Sequence, residues 1–258
     1  MEVMTVKQLL DYKGLTEKPI IDKGILYPKT RLILFGRYKS LKSMLAIDAA
    51  FSISHGIPWF GFQTARSRVL VVQMEIPKPL FRDRIKKYCN GVSIPDNLYF
   101  INEPYLKLDR DYGMGRLEPA LTTFQPQVLL IDPLYKVLSG NISDPYVAEQ
   151  LQTNIDKLRE KYNLSIIIIA HTRQRLINPQ GLVIDMGADE IMGSSNWPNW
   201  ADTIIRVKRD SPESDYIDLT FDAMRNAEEE LLPMRAKFSR HNLHWQLVKA
   251  GGLDMVIG

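Results

Sequence analysis

Residues 31–51 of the 258-residue chain read RLILFGRYKSLKSMLAIDAAF. An apolar run stops at Gly36, a short polar loop follows, and Lys42 and Ser43 open a segment with helical spacing. A strand, a loop and a helix in this order are typical of a phosphate-binding loop, because unpaired backbone N–H groups and the positive end of the helix dipole meet at one point. Lys42 adds a positive charge for phosphates, and the Ser43 hydroxyl is placed to ligate Mg²⁺. The candidate nucleotide-binding residues are Gly36, Arg37, Tyr38, Lys39, Ser40, Leu41, Lys42, Ser43 and Met44.

Leu41 departs from the phosphate-loop pattern G-x-x-x-x-G-K-[ST], which has a second glycine at this position. Glycine there normally allows close backbone approach and unusual backbone angles. The alternative interpretation is an ordinary strand-to-helix turn in which Lys42 and Ser43 occur by chance. Residues further along the chain weigh against that alternative.

The composition is that of an ordinary globular protein, with 45% hydrophobic and 24% charged residues, and the length suits one large α/β domain. A net charge of +3 permits contact with nucleic acid but does not argue for it. The single cysteine, Cys89, excludes a disulfide framework and a Cys-rich zinc site. Because the sequence has no apolar signal-peptide core and no apolar run long enough to span a membrane, we expect a cytoplasmic protein without membrane contact.

Apolar strands alternate with helical segments over most of the chain. We expect strands at 32–35, 69–73, 98–101, 128–131 and 165–170, and helices at 6–12, 43–55, 80–88, 115–124 and 145–162. This alternation predicts an α/β fold with a mostly parallel central sheet flanked by helices. Strands expected at 204–208, 217–222, 234–238 and 245–248 follow one another without helices, so we predict antiparallel strands at the C-terminal edge.

Polar residues follow three of the expected parallel strands, at the edge where ligands of such sheets bind. The Asp132 carboxylate can hold Mg²⁺ beside Ser43, or it belongs to a solvated Asp-Pro turn. Glu75 can take a proton from an attacking water, or it is an exposed residue before a Pro-rich turn. His171 can contact a terminal phosphate and signal its loss, or it is an ordinary histidine at a strand end.

A long polar loop is expected from residue 173 to about residue 190, and loops of this length inside a domain are usually functional or disordered. Its polar, basic entrance suits contact with nucleic-acid phosphates, although such a run is also typical of a solvated loop. No Lys or Arg occurs between Arg175 and Arg206, whereas an electrostatic funnel for DNA would carry more positive charge. The candidate nucleic-acid residues are Arg173, Gln174, Arg175 and Asn178.

Six motifs follow one another in the order that is seen in a known family. They are LILFGRYKSLKSMLAIDAA, VLVVQME, VLLIDPLYKVLSG, IIIIAHTRQ, MGSSNWPNWADTIIRVKR and LTFDAMRNAEEELLPMRAKF. These motifs resemble those of the RecA-like P-loop ATPases, in particular the RepA-like hexameric replicative helicases and the related ATPase domain of DnaB-type helicases. The resemblance covers roughly residues 20–240, and it is more specific for the fold and for ATP than for helicase activity.

The resemblance implies a role for each matching residue. Lys42 and Ser43 match the residues that bind phosphate and Mg²⁺, and Asp132 matches the acid on the Mg²⁺ side. Glu75 matches the general base, and His171 matches the sensor position. The resemblance therefore assigns roles to the same residues that follow the expected strands.

The resemblance also implies that Arg225 extends into the ATP site of a neighbouring subunit, where an arginine stabilises charge in the transition state. Arg206 and Arg209 are competing candidates for this role. DnaB-type hairpins carry a lysine two residues before the arginine. This chain has Ala223 there, so Arg225 would act without that partner.

The function implied is an ATP-hydrolysing DNA motor with ATP and Mg²⁺ as cofactors, assembled as a homo-oligomer, expected as a hexameric ring on single-stranded DNA. An ATPase domain at 31–250 would follow an N-terminal helix and connector at 1–30, which could pack between subunits, and would precede a tail at 251–258. Two alternatives stay open. A recombinase or recombination mediator would form open filaments, and a regulatory or assembly ATPase would bind a protein partner and no DNA.

Overall fold

The structure is a computed structural model that describes residues 3–12, 18–172, 186–193 and 196–248, so the expected tail at 251–258 lies outside it. The helices within these ranges are α1 (Val6–Leu10), α2 (Lys42–His55), α3 (Lys78–Tyr88), α4 (Asp111–Phe124), α5 (Pro145–Tyr162) and α6 (Asn196–Trp200). The strands are β1 (Arg31–Gly36), β2 (Val69–Gln73), β3 (Leu98–Asn102), β4 (Val128–Asp132), β5 (Ser165–His171), β6 (Thr203–Arg209), β7 (Tyr216–Met224), β8 (Met234–Phe238) and β9 (Trp245–Val248). Short 3-10 turns lie at Leu134–Val137 and Gly187–Glu190.

These strands form one sheet in the order β3-β2-β4-β5-β1-β6-β7-β8-β9. The first six strands in this order pair in parallel. The last four, from β6 to β9, pair in antiparallel fashion. The predicted α/β fold, a mostly parallel sheet with antiparallel strands at the C-terminal edge, is therefore confirmed.

The register of the parallel strands brings their carboxyl ends to one edge of the sheet. Gly36 at the end of β1 lies opposite His171 at the end of β5. Gln73 at the end of β2 lies opposite Asp132 at the end of β4. Since β4 and β5 are neighbours, the four strand ends form one continuous row.

The sheet is buried on both faces, which explains why its parallel strands read as continuous apolar runs. In β1, Ile33 and Phe35 belong to a cluster that includes apolar side chains of α4 and α5. Leu32 and Leu34 belong to a second cluster, which includes apolar side chains of α2 and of residues 20–26. The helices thus cover both faces, as the sequence predicts.

The expected start of α4 is wrong, because this helix begins at Asp111 rather than at residue 115. Its first turns contain glycine and its interior contains Pro119, both of which lower helix propensity. A Cβ at Gly113 would lie 1.8 Å from the Lys107 carbonyl oxygen, so tertiary packing explains that glycine. The other expected elements agree with the structure to within two residues at each end, while α6 and the two 3-10 turns were not predicted. None of the helices in the described ranges is long and apolar enough to cross a bilayer.

Candidate nucleotide-binding site

The loop between β1 and α2 needs Gly36 for a packing reason. Strand β6 comes so close to this residue that a Cβ would lie 2.3 Å from the Val207 carbonyl oxygen. Further along the loop, Lys39 and Leu41 have left-handed backbone conformations, with φ of 61° and 66°. The loop therefore turns at the residue before Lys42, which is where the phosphate-loop pattern has its second glycine.

Leu41 adopts the backbone conformation that glycine favours, although it is not glycine. For an ordinary residue this conformation costs roughly 1–2 kcal/mol. The Leu41 side chain is half-buried and packs against two apolar clusters, one on the α2 side of the sheet and one between α2 and α3. This packing offsets part of the backbone cost, so the loop keeps its turn without the glycine.

The Lys42 side chain lies inside the loop and is only 4% exposed. Its Nζ donates hydrogen bonds to the carbonyl oxygens of Gly36 at 2.8 Å and Arg37 at 2.7 Å, and to the Ser40 hydroxyl at 3.2 Å. Burial lowers the pKa of Lys42 to about 8, and the charge of Asp132 opposes this shift. The ammonium is thus held in the centre of the loop, where phosphate oxygens bind in sites of this kind.

Asp132 is the last residue of β4 and lies beside Ser43. Burial raises the pKa of Asp132 to about 6, and the nearby Ser43 hydroxyl opposes this shift by favouring the charged form. The Oδ1 atom of Asp132 is buried and has no hydrogen-bond partner among the described residues, so it is available to a ligand. A hydroxyl and a carboxylate are oxygen donors of the kind that Mg²⁺ prefers.

Ser43 and Asp132 fit a magnesium site that the phosphates of a substrate complete, rather than a site built by the protein alone. Within the described residues, no group of three or more His, Cys, Asp or Glu side chains could hold a metal. Mg²⁺ usually keeps several waters and binds through one or two protein groups and the phosphates of its substrate. Ser43 and Asp132 meet that requirement.

Glu75 lies two residues beyond the end of β2, so it starts the following turn rather than ending the strand. Its carboxylate is exposed at the row of strand ends and accepts a hydrogen bond from the Tyr135 hydroxyl. Burial, together with this bond, raises the pKa of Tyr135, so the tyrosine stays protonated and acts as a donor. The ring of Tyr135 also lies 5.5 Å from that of His171, between centroids. Tyr135 therefore links the two polar residues.

His171 is half-buried next to these groups. Its pKa is lowered by burial and further by the nearby charge of Lys42, whereas Glu75 opposes the shift. The imidazole is consequently neutral at pH 7, because its ordinary pKa of 6.5 is already below that value. A neutral His171 can donate or accept a hydrogen bond at the strand end without adding a charge to the site.

The contacts that three residues make at the site were not predicted from the sequence. Tyr135 stands three residues after Asp132 in the second nucleotide motif, which is the signal that could have found it. Arg84 of α3 is half-buried, and its lowered pKa reflects that burial, opposed by the charge of Asp132. Arg209 donates a 2.7 Å hydrogen bond from Nη1 to the Lys39 carbonyl oxygen and so supports the loop from β6. No local sequence signal could have predicted the contacts of the two arginines.

A family model described as "AAA domain" matches residues 6–175, which include the loop, Glu75, Asp132 and His171. The chain belongs to this AAA domain family. A search of curated proteins found no match. The family match thus covers the parallel strands β1 to β5, and solved structures supply the comparison for β6 to β9.

The AAA domain chain is similar to three solved structures over most of its length. One of them, described as an ATPase domain, is 10% identical, with a TM-score of 0.65 over 93% of this chain and 95% of that one. A DnaB-like replicative helicase, described with its interactions with primase, is 12% identical, with a TM-score of 0.64 over 93% of this chain and 66% of that one. The RadB recombinase is 14% identical, with a TM-score of 0.55 over 83% and 90%. This AAA domain therefore has the RecA-like fold of helicase ATPase domains, as the resemblance predicts.

Arg225 lies far from the nucleotide loop of its own AAA domain. Its guanidinium donates to the Asn199 carbonyl oxygen, and its backbone N–H donates to the Asp202 carbonyl oxygen at 2.9 Å. Asp202 in turn binds the backbone of Arg31, the first residue of β1. Gly36 is five residues further along that strand, or about 16 Å at roughly 3.3 Å per residue. Arg225 therefore cannot reach the phosphates bound by its own subunit.

The two competing arginines make contacts within the same subunit. Arg206 forms an ion pair with Asp222 at 3.2 Å, and both side chains are largely buried. Arg209 supports its own nucleotide loop at Lys39, as described above. All three arginines thus make contacts within their own subunit, and Arg225 differs from the other two in being exposed to solvent. The candidate nucleic-acid residues Arg173, Gln174, Arg175 and Asn178 lie outside the described residues.

Proposed function

We propose that the chain is an ATP-hydrolysing DNA motor, a ring-forming helicase of the replicative type that acts on single-stranded DNA. One observation carries this proposal. Lys42, Ser43, Asp132 and His171 meet at one edge of the parallel sheet with Glu75 beside them, whereas Arg225 is exposed at the opposite end of β1. An ATP site completed by the arginine of a second subunit fits this division.

Binding of ATP would rest on the loop and the first turn of α2. Lys42 is the only charged side chain buried inside the loop as described, and its hydrogen bonds to loop carbonyl oxygens hold it ready to turn toward phosphate oxygens. Ser43 and Asp132 would hold Mg²⁺, which neutralises charge on the phosphates when it is bound. The buried, unpartnered Oδ1 of Asp132 supports this assignment.

Hydrolysis would use Glu75 as the general base. Its carboxylate accepts a proton from a water molecule as the water oxygen bonds to the γ-phosphorus, and the bond from that phosphorus to the bridging oxygen of ADP breaks. Tyr135 donates to Glu75 and so fixes the direction of the carboxylate. We assign Tyr135 as a positioning residue, since its contact is with Glu75 rather than with the phosphate.

His171 would report the state of the site to the DNA-binding loop. It is the last residue of β5, is neutral, and lies next to Tyr135. Loss of the γ-phosphate removes a hydrogen-bond partner from this position, and the loop that begins at residue 173 follows directly in sequence. The candidate residues Arg173, Gln174, Arg175 and Asn178 would then bind the backbone of single-stranded DNA.

A recombinase is the second candidate, because the chain is also similar in fold to the RadB recombinase. Such a protein would assemble on DNA as an open filament, whereas a helicase of the proposed type closes into a ring. The similarity is lower than that to the DnaB-like helicase, with a TM-score of 0.55 against 0.64. This difference favours the helicase as the first choice.

The test begins with the rate of ATP hydrolysis, measured with and without single-stranded DNA at several salt concentrations. We expect stimulation by DNA that weakens as salt rises, since phosphate contacts release counterions. Unwinding of a forked duplex, with rings in electron micrographs, would support the helicase. Filaments without unwinding would support the recombinase, and hydrolysis that is indifferent to DNA would overturn both. Lys42→Ala is the negative control for every measurement.

A further inference from the structure

A basic groove lies at the β3 edge of the sheet. It is a cavity of about 1200 Å³ between α3 and β3, with Phe81 and Phe100 among its apolar lining residues. Lys78, Lys86 and Lys87 line it as well, and these three lysines have no ion-pair partner among the described residues. The groove therefore combines an apolar floor with a rim of unpaired positive charge.

Two further residues line the groove and affect its charge and its apolar surface. Arg82 contributes a cation that is paired with Asp83 at 2.6 Å, so it adds little to the net charge of the rim. Ile94 is 80% exposed at the groove, which leaves a large apolar side chain in contact with water. Exposed apolar surface surrounded by charge is typical of a docking site for a protein segment.

An acidic turn lies toward the other edge of the sheet, between β7 and β8. We use this name for residues 228–232, which read EEELL. Glu228, Glu229 and Glu230 are all exposed, and none has an ion-pair partner in the part of the chain that the structure describes. Leu232 follows them and is 82% exposed. The acidic turn thus presents three negative charges and one apolar side chain.

The acidic turn is held firmly at its base. Ala227 packs against Gly24 so closely that a Cβ on this glycine would lie 2.5 Å from the Ala227 backbone. Leu231 packs against the apolar cluster on the α2 side of the sheet. Because both ends of the turn are anchored, little conformational entropy would be lost when it binds a partner.

We propose that the acidic turn of one copy of this chain docks in the basic groove of the next copy. The charges are complementary, three carboxylates against three lysines, and Leu232 matches the apolar floor and Ile94. The acidic turn and the basic groove are two different surfaces of the chain, so a contact between them is head-to-tail and can repeat from copy to copy. Repetition of one head-to-tail contact gives a ring when the rotation closes.

This interface deepens the proposed function, on which the choice of a second copy as occupant rests. Arg225 stands three residues before Glu228, and α3 begins three residues after Glu75. A turn seated along α3 with Glu228 at the Lys78 end would bring Arg225 toward the neighbour's Glu75. The acidic turn and the basic groove would set the position from which that arginine reaches the shared ATP site.

Charge reversal tests the contact without any measurement of activity. One variant carries Glu228→Lys, Glu229→Lys and Glu230→Lys, and the other carries Lys78→Glu, Lys86→Glu and Lys87→Glu. Sedimentation velocity should show that each variant alone has the mass of a single chain. The concentration needed for assembly should rise about 100-fold or more, because like charges then face each other.

Rescue is the decisive observation. When the two variants are mixed, the turn that now carries lysines can bind the groove that now carries glutamates. The unchanged turn of the second variant can bind the unchanged groove of the first, so assemblies in which the two variants alternate should form. A single chain that carries all six changes should assemble by itself. Reversals that leave sedimentation unchanged, or losses that neither combination restores, would overturn the proposal.

Control variants separate the interface from general effects of charge. Glu149→Lys and Lys157→Glu reverse exposed charges on α5, away from both surfaces, and should leave assembly unchanged. Circular dichroism melting verifies that each variant is folded. If the lysine rim binds DNA instead, its reversal would lower DNA affinity while sedimentation without DNA stays normal, which also overturns the proposal.

The test is independent of the proposed activity. Sedimentation requires neither ATP hydrolysis nor DNA, so restored assembly supports the interface even if the protein unwinds no duplex. Conversely, a protein that unwinds DNA but shows no rescue would keep its proposed function and lose this interface.

Discussion

The parallel half of the sheet and its antiparallel edge place their polar side chains differently. In the parallel half, Lys42 and Asp132 are 4% and 5% exposed, and burial shifts the pKa of both. At the antiparallel edge, Arg225 and the three glutamates of the acidic turn are exposed to solvent. One region keeps its charges inside a single subunit, and the other presents them outward.

The difference follows from the two kinds of pairing. Parallel strands need helical crossovers, which cover both faces of the sheet and leave only the strand ends open to a ligand. Antiparallel strands need only a turn, and the turn between β7 and β8 projects into solvent with its charges. A site shared between subunits needs both, a buried half that binds the ligand and an exposed half that reaches the neighbour.

The largest effect is expected from Lys42→Ala, in the buried region. The substitution removes the charge for the phosphates and also the hydrogen bonds that the ammonium donates to the carbonyl oxygens of Gly36 and Arg37. We expect the rate of ATP hydrolysis to fall by at least about 10³-fold, and nucleotide binding to weaken with it. Lys157→Ala on α5 is the matched control. Turnover that survives Lys42→Ala would remove the nucleotide-site assignment.

Arg225→Ala tests the exposed region. It should leave nucleotide binding to a single subunit intact and lower the turnover of the assembly by about 10³-fold, because in the proposed shared site the arginine would stabilise the neighbour's transition state. Mixing this variant with Lys42→Ala should restore part of the activity, since one partner keeps its loop and the other keeps its arginine. The double variant Lys42→Ala/Arg225→Ala, mixed with Arg225→Ala in place of the Lys42→Ala variant, should restore no activity. Equal results from the two mixtures would contradict a shared site.

Glu75→Gln separates binding from chemistry in the buried region. Glutamine keeps the size of the side chain and can still accept from Tyr135, but it cannot take a proton from water. Turnover should fall by about 10²–10³-fold while nucleotide affinity changes little. Fluorescent nucleotide titration and a hydrolysis assay measure the two quantities. Lost affinity would mean that Glu75 has a structural role.

The sequence predicts the strands of both regions, but not the contacts that join distant parts of the chain. Continuous apolar runs such as SIIIIA leave few alternatives to a buried strand, and the runs before Asp132 and His171 lead directly into polar residues of the site. The contacts of Tyr135 and Arg209 could not be predicted, because they join residues 60 and 170 positions apart in sequence. The start of α4 was missed for a related reason. Gly113 is required by a contact with another segment, and helix propensity alone argues against it.

Tyr135→Phe tests whether the Tyr135 hydroxyl orients Glu75, the proposed general base. The substitution removes the hydroxyl that donates to Glu75 and keeps the ring that packs near His171. We expect a decrease of about tenfold in kcat with an unchanged KM for ATP, because orientation of the base affects the chemical step. Tyr146→Phe, an exposed tyrosine on α5, is the control. A raised KM with unchanged kcat would show that Tyr135 binds nucleotide.

The smallest effect is expected at Leu41, where the buried region has a backbone conformation that costs energy. Comparing Leu41→Gly with Leu41→Ala isolates that cost, since both remove the apolar side chain and only alanine keeps a Cβ at φ of 66°. The glycine variant should be more stable than the alanine variant by about 1 kcal/mol. Chemical denaturation measures the difference. Equal stabilities would mean that the left-handed turn at Leu41 costs nothing. A wild type more stable than both would show that apolar packing, rather than glycine, stabilises this loop.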